Sequence, residues 1–217
     1  MAHGILHTAS KSSAQIPISP LEISAMVAAR ICHDLVSPLG AIGNGIELME
    51  LSGQSGGAEL DLVAESTRNA NAKLRFFRIA FGTVTPEQLI SQAEIRSILD
   101  SLGRFQKHKV IWQCSGDPTR RQVKLVFLLL MCLETTLPWG GEIEIAVWPE
   151  GARLIARSER LKIDDNLWQP FETGAELTEL SSARVQFALA LAEIAAQSGK
   201  IGLAERASTL TLDIAFG

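Results

Sequence analysis

The sequence predicts an α+β protein in which a long helical hairpin precedes a smaller mixed domain. Two runs of apolar residues at heptad spacing before residue 83 predict the helices of the hairpin. After that point, alternating segments lie between apolar helical ones, which is typical of helices packed on a sheet. A chain of 217 residues, 47% of them hydrophobic and 20% charged, is long and apolar enough for both parts.

We divide the chain into a loose polar tail (residues 1–17), a hairpin domain (18–83) and an α/β domain (84–217). The first helix is expected to begin at Ser19-Pro20-Leu21-Glu22, where Ser is a good N-cap, Pro suits the first helical position and Glu can close a capping box. It is expected to end near Leu51, before a glycine-rich turn.

Apolar or small residues follow one face of each helix in steps of three and four. They form a seam at Leu21, Ala25, Ala28, Cys32, Leu35, Leu39, Ile42, Ile46 and Met49, and then at Leu60, Val63, Thr67, Ala70, Leu74, Phe77 and Phe81. A lone hairpin would leave much of this surface in water. Pairing two hairpins into a four-helix bundle would cover it, so the pattern predicts a homodimer.

The second half is expected to be a sandwich of helices on a mixed or antiparallel sheet. Thr85-Pro86-Glu87-Gln88 repeats the helix-start signal and predicts a third helix that begins there and ends near Leu102. The remaining helices are predicted at 121–136 and 182–198, and the strands at 108–114, 142–148, 152–157, 200–205 and 209–216.

Charge and cysteine content exclude several classes of protein. A net charge of −4 shows no basic excess of the kind that nucleic-acid binding requires. The three cysteines contain no CxxC pair, which favours free thiols in a reducing compartment. The longest apolar run, residues 126–133, is too short to span a bilayer, and the N-terminus does not resemble a secretion signal. We therefore expect a cytoplasmic protein that binds neither nucleic acid nor membrane.

The first helix carries a histidine beside small residues. His33 follows the seam position Cys32, so its ring lies beside the core and reaches solvent. Ser37, Gly40 and Asn44 share its stripe, because the four residues are separated by steps of four, three and four. Another protein could therefore approach the imidazole closely.

Asp34 and Pro38 give this stretch its chemical interest. A neutral imidazole is a good nucleophile toward phosphorus, and a carboxylate on its other nitrogen fixes the tautomer. Asp34 could serve, although adjacent helical residues point about 100° apart, so the contact depends on the rotamer. Pro38 in mid-helix costs roughly 3 kcal/mol and leaves the carbonyl of Asp34 without its helical donor.

The residues His33-Asp34-Leu35-Val36-Ser37-Pro38-Leu39, with Ile42 and Glu47-Leu48, resemble the H-box of sensor histidine kinases. In that family the histidine of a dimeric helical hairpin is phosphorylated. The resemblance implies that His33 is the phosphoacceptor, with Asp34 as its orienting carboxylate and Ser37, Pro38 and Asn44 in support.

The second half resembles the ATP-binding domain of the same kinases but departs from it where nucleotide would bind. Residues 137–145 match the turn after the nucleotide-binding helix, and the two asparagines expected on that helix fall at Leu128 and Cys132. Neither side chain can hold Mg²⁺ by an amide oxygen. The glycine-rich boxes are also missing, so we expect a degenerate ATPase fold with no cofactor and no metal ion of its own.

A phosphoacceptor hairpin joined to such a domain is similar to the ChpT-type histidine phosphotransferases of alphaproteobacteria. The details include Cys32-His33-Asp34-Leu35, Asn44-Gly45 and Leu74-Arg75-Phe76-Phe77-Arg78. The resemblance implies a relay from the receiver domain of a CckA-like hybrid kinase, through His33, to response regulators of the CtrA and CpdR kinds. Mg²⁺ would then be supplied on the receiver.

Docking residues and alternative functions stay open at this level. Gly40, Arg68, Arg75 and Arg78 are candidates for contact with acidic receivers, although the arginines also suit an ordinary solvated helix face. In some H-box kinases the position of Ser37 supports phosphatase activity, and a plain surface serine is the alternative. The competing functions are an ATP-dependent histidine kinase core and a dimeric scaffold that is never phosphorylated.

Overall fold

The N-terminal half folds as an antiparallel helical hairpin. The structure is a computed structural model that describes residues 18–52, 57–85, 87–177 and 180–217. Helix α1 spans Pro20–Ser52 and helix α2 spans Ala58–Ala80. Both agree with the predicted helices to within two residues. The predicted tail and most of the glycine-rich turn lie outside the described residues.

The predicted capping box starts α1. The backbone N–H of Glu22 donates to Ser19 Oγ at 3.2 Å, and the backbone N–H of Ser19 donates to Glu22 Oε2 at 2.7 Å. The Ser19 hydrogen bonds lower the pKa of the Glu22 carboxyl, since they favour its charged form. The reciprocal pair satisfies two donors that a helix start would otherwise leave open.

The two helices approach each other closely along one side of α1. Gly45 is buried, and a Cβ built on it would lie 2.6 Å from Val63 Cγ2. The position therefore favours glycine, because a larger residue would force the Val63 side chain or α2 itself to move. Pro38, two turns earlier on the same side, is also buried.

The predicted seam, by contrast, remains largely open in the single chain. Its large aliphatic members keep 46–80% of their surface exposed at Leu21, Leu39, Ile46, Leu60 and Leu74. Cys32 on the same face is exposed. By length and composition, residues Pro20–Leu51 of α1 would also suffice to cross a bilayer. Only 6% of an apolar 18-residue stretch within this helix is buried. The hairpin thus presents a long apolar face that the chain itself does not cover.

The C-terminal half is a five-stranded mixed sheet with helices packed against it. The helices are α3 (Gln92–Gly103), α4 (Arg120–Glu134), α5 (Asp165–Thr173) and α6 (Val185–Ala196), and the strands are β1 (His108–Cys114), β2 (Gly141–Trp148), β3 (Gly151–Arg157), β4 (Lys200–Arg206) and β5 (Thr209–Ala215). The strand order is β1-β2-β3-β5-β4, and only β1 and β2 are parallel. Alternate residues of β2, β3 and β5 are buried, so one face of the sheet forms the core.

The predicted start of the third helix is wrong. Helix α3 begins at Gln92 rather than at Thr85, and its N-cap is Ser91, whose side chain accepts from the backbone N–H of Glu94. The preceding segment is held elsewhere, because Leu89 forms a β-bridge with Thr119. A tertiary contact therefore outweighs the local signal for a helix start at Thr85. Pro86, which is part of that signal, lies outside the described residues.

The core of the second half extends into the end of α2. The ring of Phe76 stacks on that of Phe127 of α4 with their centroids 4.5 Å apart. Ile79 and Ala80, near the end of α2, have no exposed surface. This packing fixes the hairpin to the C-terminal half, and a domain division at residues 83/84 stays a prediction.

Candidate functional site

The imidazole of His33 is almost fully open to solvent. It lies in the middle of α1 with 85% of its side chain exposed, and its Nδ1 is 3.1 Å from Oδ1 of Asp34. A carboxylate can only accept, so this hydrogen bond requires the proton on Nδ1. The lone pair of Nε2 is then available to an approaching electrophile. The geometry thus brings His33 and Asp34 together as the sequence predicted.

The second oxygen of the same carboxylate is held from the preceding turn of the helix. Arg30 Nε donates to Asp34 Oδ2 at 2.7 Å, and Arg30 Nη1 donates to the backbone carbonyl of Ala183 at 2.5 Å. Both side chains are mostly covered, at 20% exposure for Arg30 and 19% for Asp34. Sequence reasoning missed Arg30, although its spacing of four residues before Asp34 is a usable signal.

Pro38 leaves a carbonyl that α2 satisfies. A residue other than proline at position 38 would donate its N–H to the carbonyl oxygen of Asp34. In the structure Lys73 Nζ donates to that oxygen instead, at 2.8 Å. Lys73 lies 39 residues away in sequence, so no local pattern could have found it. The lysine therefore compensates the gap in the helix one turn below the histidine.

The supporting residues on the histidine stripe are accessible. Ser37, Gly40 and Asn44 are all exposed. A Cβ built on Gly40 would meet no atom within 4 Å. The surface of α1 that follows His33 toward Asn44 is therefore unobstructed by large side chains, and a partner protein could approach His33 along it.

Two of the three predicted docking arginines line a groove between α2 and α3. Arg68, Arg75 and Arg104 surround a cavity of about 260 Å³. Arg75 Nη1 donates to Ser97 Oγ at 3.2 Å, whereas among the described residues the side chains of Arg68 and Arg104 have no ion-pair or hydrogen-bond partner. Arg78 differs, because its guanidinium is 3.7 Å from the Glu94 carboxylate. The groove thus concentrates uncompensated positive charge.

The residues at the predicted nucleotide position do not fit a magnesium-bound nucleotide. Leu128 and Cys132 have no exposed surface, and the α4 helix that carries them packs against α6. Burial raises the pKa of the Cys132 thiol well above its usual range, which favours the neutral form, and a neutral thiol is a poor ligand for Mg²⁺. A cavity of about 430 Å³ between α5 and the β4–β5 pair is lined by the carboxylates of Asp165, Glu172 and Glu205, which would repel phosphates.

Comparison with known proteins places this architecture in a family. The model of the histidine phosphotransferase C-terminal domain matches residues 92–209, which is more than half of the chain. The protein belongs to this family. The match covers the α/β half and does not include His33.

Two relatives add to the comparison, and the one of known structure extends it to the hairpin. Protein phosphotransferase ChpT of Brucella abortus (strain 2308) is 34% identical over 138 residues, which is 61% of this chain and 64% of that protein. The match therefore spans less than two thirds of the curated relative. A bacterial phosphotransferase of known structure superposes with a TM-score of 0.76 at 26% identity, over 93% of this chain and all of the other.

Proposed function

We propose that this protein is a histidine phosphotransferase of a multistep phosphorelay and that His33 carries the phosphoryl group. The observation that supports this most directly is the exposed imidazole whose Nδ1 is held by Asp34, since it leaves Nε2 free for a partner protein. Membership of the phosphotransferase family agrees with it. An ATP-dependent kinase is disfavoured because Leu128 and Cys132 are buried.

The transfer step needs no nucleotide. The lone pair of His33 Nε2 attacks phosphorus of an aspartyl phosphate on a receiver domain, and a P–N bond forms. The bond between phosphorus and the acyl oxygen breaks, and the receiver carboxylate leaves with the electron pair. The resulting imidazolium keeps its proton on Nδ1, where the Asp34 carboxylate stabilises the positive charge. Mg²⁺ belongs to the receiver in this scheme, and the reverse reaction passes the group on.

We also propose that two chains pair through the open apolar face of the hairpin in the cytoplasm. Both α1 and α2 keep large aliphatic seam residues exposed, and a four-helix bundle would bury them. Burial in a bundle explains the apolar character of α1 without a membrane. The polar residues Arg30, His33 and Asp34 near its centre would be costly in lipid.

Transfer from a phosphorylated receiver tests the function. The protein is mixed with a receiver domain that carries labelled aspartyl phosphate, and label on each chain is followed with time. We expect acid-labile, base-stable label on this chain and none on His33→Ala, while the variant keeps the oligomeric state of the parent. Label that persists in His33→Ala would contradict the assignment. Receiver binding without any transfer would instead indicate a scaffold.

We further propose that the arginine groove receives an acidic segment of the receiver. Arg68 and Arg75 flank Lys73 on α2, and Lys73 reaches Asp34, so the groove lies at the height of His33 along the hairpin. The charge reversals Arg68→Glu and Arg104→Glu should each weaken receiver binding about tenfold and reduce its salt dependence. Arg206→Glu, at the end of the edge strand β4, is the control. Equal effects at all three positions in a calorimetric titration would contradict groove docking.

A further inference from the structure

Arg30 connects two parts of the molecule that are far apart in sequence. Its guanidinium hydrogen-bonds the Asp34 carboxylate on its own helix and the Ala183 carbonyl in the turn that precedes α6. This turn is the 3₁₀ segment Ser182–Arg184. It is anchored in turn by an ion pair of 2.6 Å between Arg184 and Asp164.

The hydrogen bond from Arg30 to Asp34, which we call the first arm of Arg30, decides the rotamer of Asp34. His33 and Asp34 project about 100° apart on the helix, so their contact requires a particular rotamer of the carboxylate. With Oδ2 held at 2.7 Å by Arg30 Nε, the other oxygen is directed at His33 Nδ1, at 3.1 Å. A charge-assisted bond of this length on a mostly covered carboxylate is a strong restraint.

The hydrogen bond from Arg30 to the Ala183 carbonyl, its second arm, decides the position of Arg30 itself. An arginine has several rotatable bonds, and a single exposed ion pair would leave it mobile. The Ala183 carbonyl supplies a second, fixed acceptor that belongs to the C-terminal half. The carboxylate beside the histidine is therefore oriented from a domain whose nucleotide position is filled by core residues.

We propose that Arg30 is a positioning residue for phosphotransfer, which acts through Asp34 and through which the degenerate ATPase-like domain orients the phosphoacceptor. The proposal rests on the proposed function of His33. It gives the C-terminal domain a role in the chemistry without any nucleotide. The Ala183 carbonyl of that domain holds Arg30, Arg30 holds the Asp34 carboxylate, and the carboxylate fixes the tautomer of His33.

The chain provides a matched control for the loss of such an arginine. Arg121 also has two arms, since its Nε donates to Glu193 Oε1 at 3.1 Å and its Nη2 donates to the Ala196 carbonyl at 2.5 Å. It lies at the start of α4, and its side-chain hydrogen bonds and ion pair with other described residues go to α6 and not to α1. Arg30→Gln and Arg121→Gln therefore remove equivalent contacts, of which only one set leads to His33.

Single-turnover transfer from a phosphorylated receiver is measured for both variants of the full chain. We expect Arg30→Gln to slow transfer about tenfold to a hundredfold, because misplacing a catalytic group by about 1 Å costs on that order. Arg121→Gln should stay within about twofold of the parent. In an Asp34→Ala background, Arg30→Gln should add nothing further. An equal slowing in that background would show that Arg30 does not act through Asp34 and would overturn the proposal.

A spectroscopic readout separates this proposal from the proposed function. Nitrogen NMR of the imidazole reports which ring nitrogen of His33 carries the proton, and it needs no phosphate. We expect the Nδ1–H tautomer to predominate in the parent and in Arg121→Gln, and the Nε2–H tautomer to gain population in Arg30→Gln. An unchanged tautomer ratio in Arg30→Gln would overturn the positioning role even if His33 is phosphorylated. A chain that shows the tautomer shift but accepts no label would contradict only the proposed function.

The link to the C-terminal domain has its own variant. Arg184→Ala releases the turn that carries Ala183 without touching Arg30, Asp34 or His33. We expect a slowing of about threefold to tenfold and a partial tautomer shift, because Arg30 keeps one of its two arms. Transfer and tautomer ratio both equal to those of the parent would show that the domain does not orient the phosphoacceptor.

Discussion

The two halves of this chain differ in whether the residues at their predicted sites are exposed or buried. In the hairpin, His33 is 85% exposed on a helix whose large aliphatic side chains are mostly uncovered. In the α/β half, Leu128 and Cys132 occupy the positions where the resemblance to histidine kinases predicts nucleotide ligands, and both are fully buried. The proposed phosphoacceptor is thus accessible to another protein, whereas the predicted ligand positions are part of the core.

The contrast agrees with our proposal that the C-terminal domain serves the reaction by positioning the phosphoacceptor rather than by binding nucleotide. Apolar residues in place of buried polar ligands stabilise the sheet-and-helix core, since no polar atom then needs a bound partner. The hairpin makes the opposite compromise. It leaves apolar surface open and tolerates Pro38 in mid-helix, and it relies on Lys73 and the C-terminal domain to hold its site in shape.

Placing at residue 128 the asparagine that the kinase resemblance expects there should give the largest effect, on stability and not on activity. Leu128→Asn removes a fully buried aliphatic side chain and buries an amide without a partner, at a cost of about 4 kcal/mol in the free energy of unfolding. Urea denaturation at fixed protein concentration measures it. Leu128→Met, which conserves volume, should cost less than about 1.5 kcal/mol.

Millimolar ATP with Mg²⁺ should raise the melting temperature of neither the two variants nor the parent. A clear rise would show nucleotide binding and would support the alternative of an ATP-dependent kinase.

A charge on the apolar face should dissociate the bundle. Leu39 of the hairpin and Leu89 of the second half are similarly exposed, at 57% and 62%. Leu39→Asp places two like charges in the proposed interface, so we expect a monomer in light scattering at micromolar concentration. Leu89→Asp should keep the mass of the parent. A dimer that survives Leu39→Asp, or one that is lost equally in both variants, would contradict pairing through this face.

Sequence periodicity was sufficient for the helices and strands with strong local signals. The capping box at Ser19 and the strand His108–Cys114 are confirmed, because alternation and capping are set within a few residues. The start of α3 was wrong because the β-bridge at Leu89 overrides the signal at Thr85. Helix α5 was not predicted, since it has nine residues and contains Pro170.

The site divides in the same way. His33 and Asp34 follow from a contiguous pattern, and the structure brings them into contact. Arg30 has a readable spacing to Asp34, but its second acceptor is the Ala183 carbonyl, 153 residues away. Such a contact depends on how two halves of the chain dock, and no pattern of side chains along the sequence encodes it.

The smallest expected effect concerns the gap that Pro38 makes in α1. Lys73→Met removes the donor to the Asp34 carbonyl, which should lower the free energy of unfolding by about 1 to 2 kcal/mol. With Pro38→Ala in the same chain, the new backbone N–H reaches that carbonyl as in any helix, so the added cost of Lys73→Met should fall below about 0.5 kcal/mol. Urea denaturation of the four proteins in this cycle gives the coupling. Equal costs of Lys73→Met in both backgrounds would mean that the lysine stabilises the hairpin by some other contact, and the hairpin would then not depend on the second helix to complete the first.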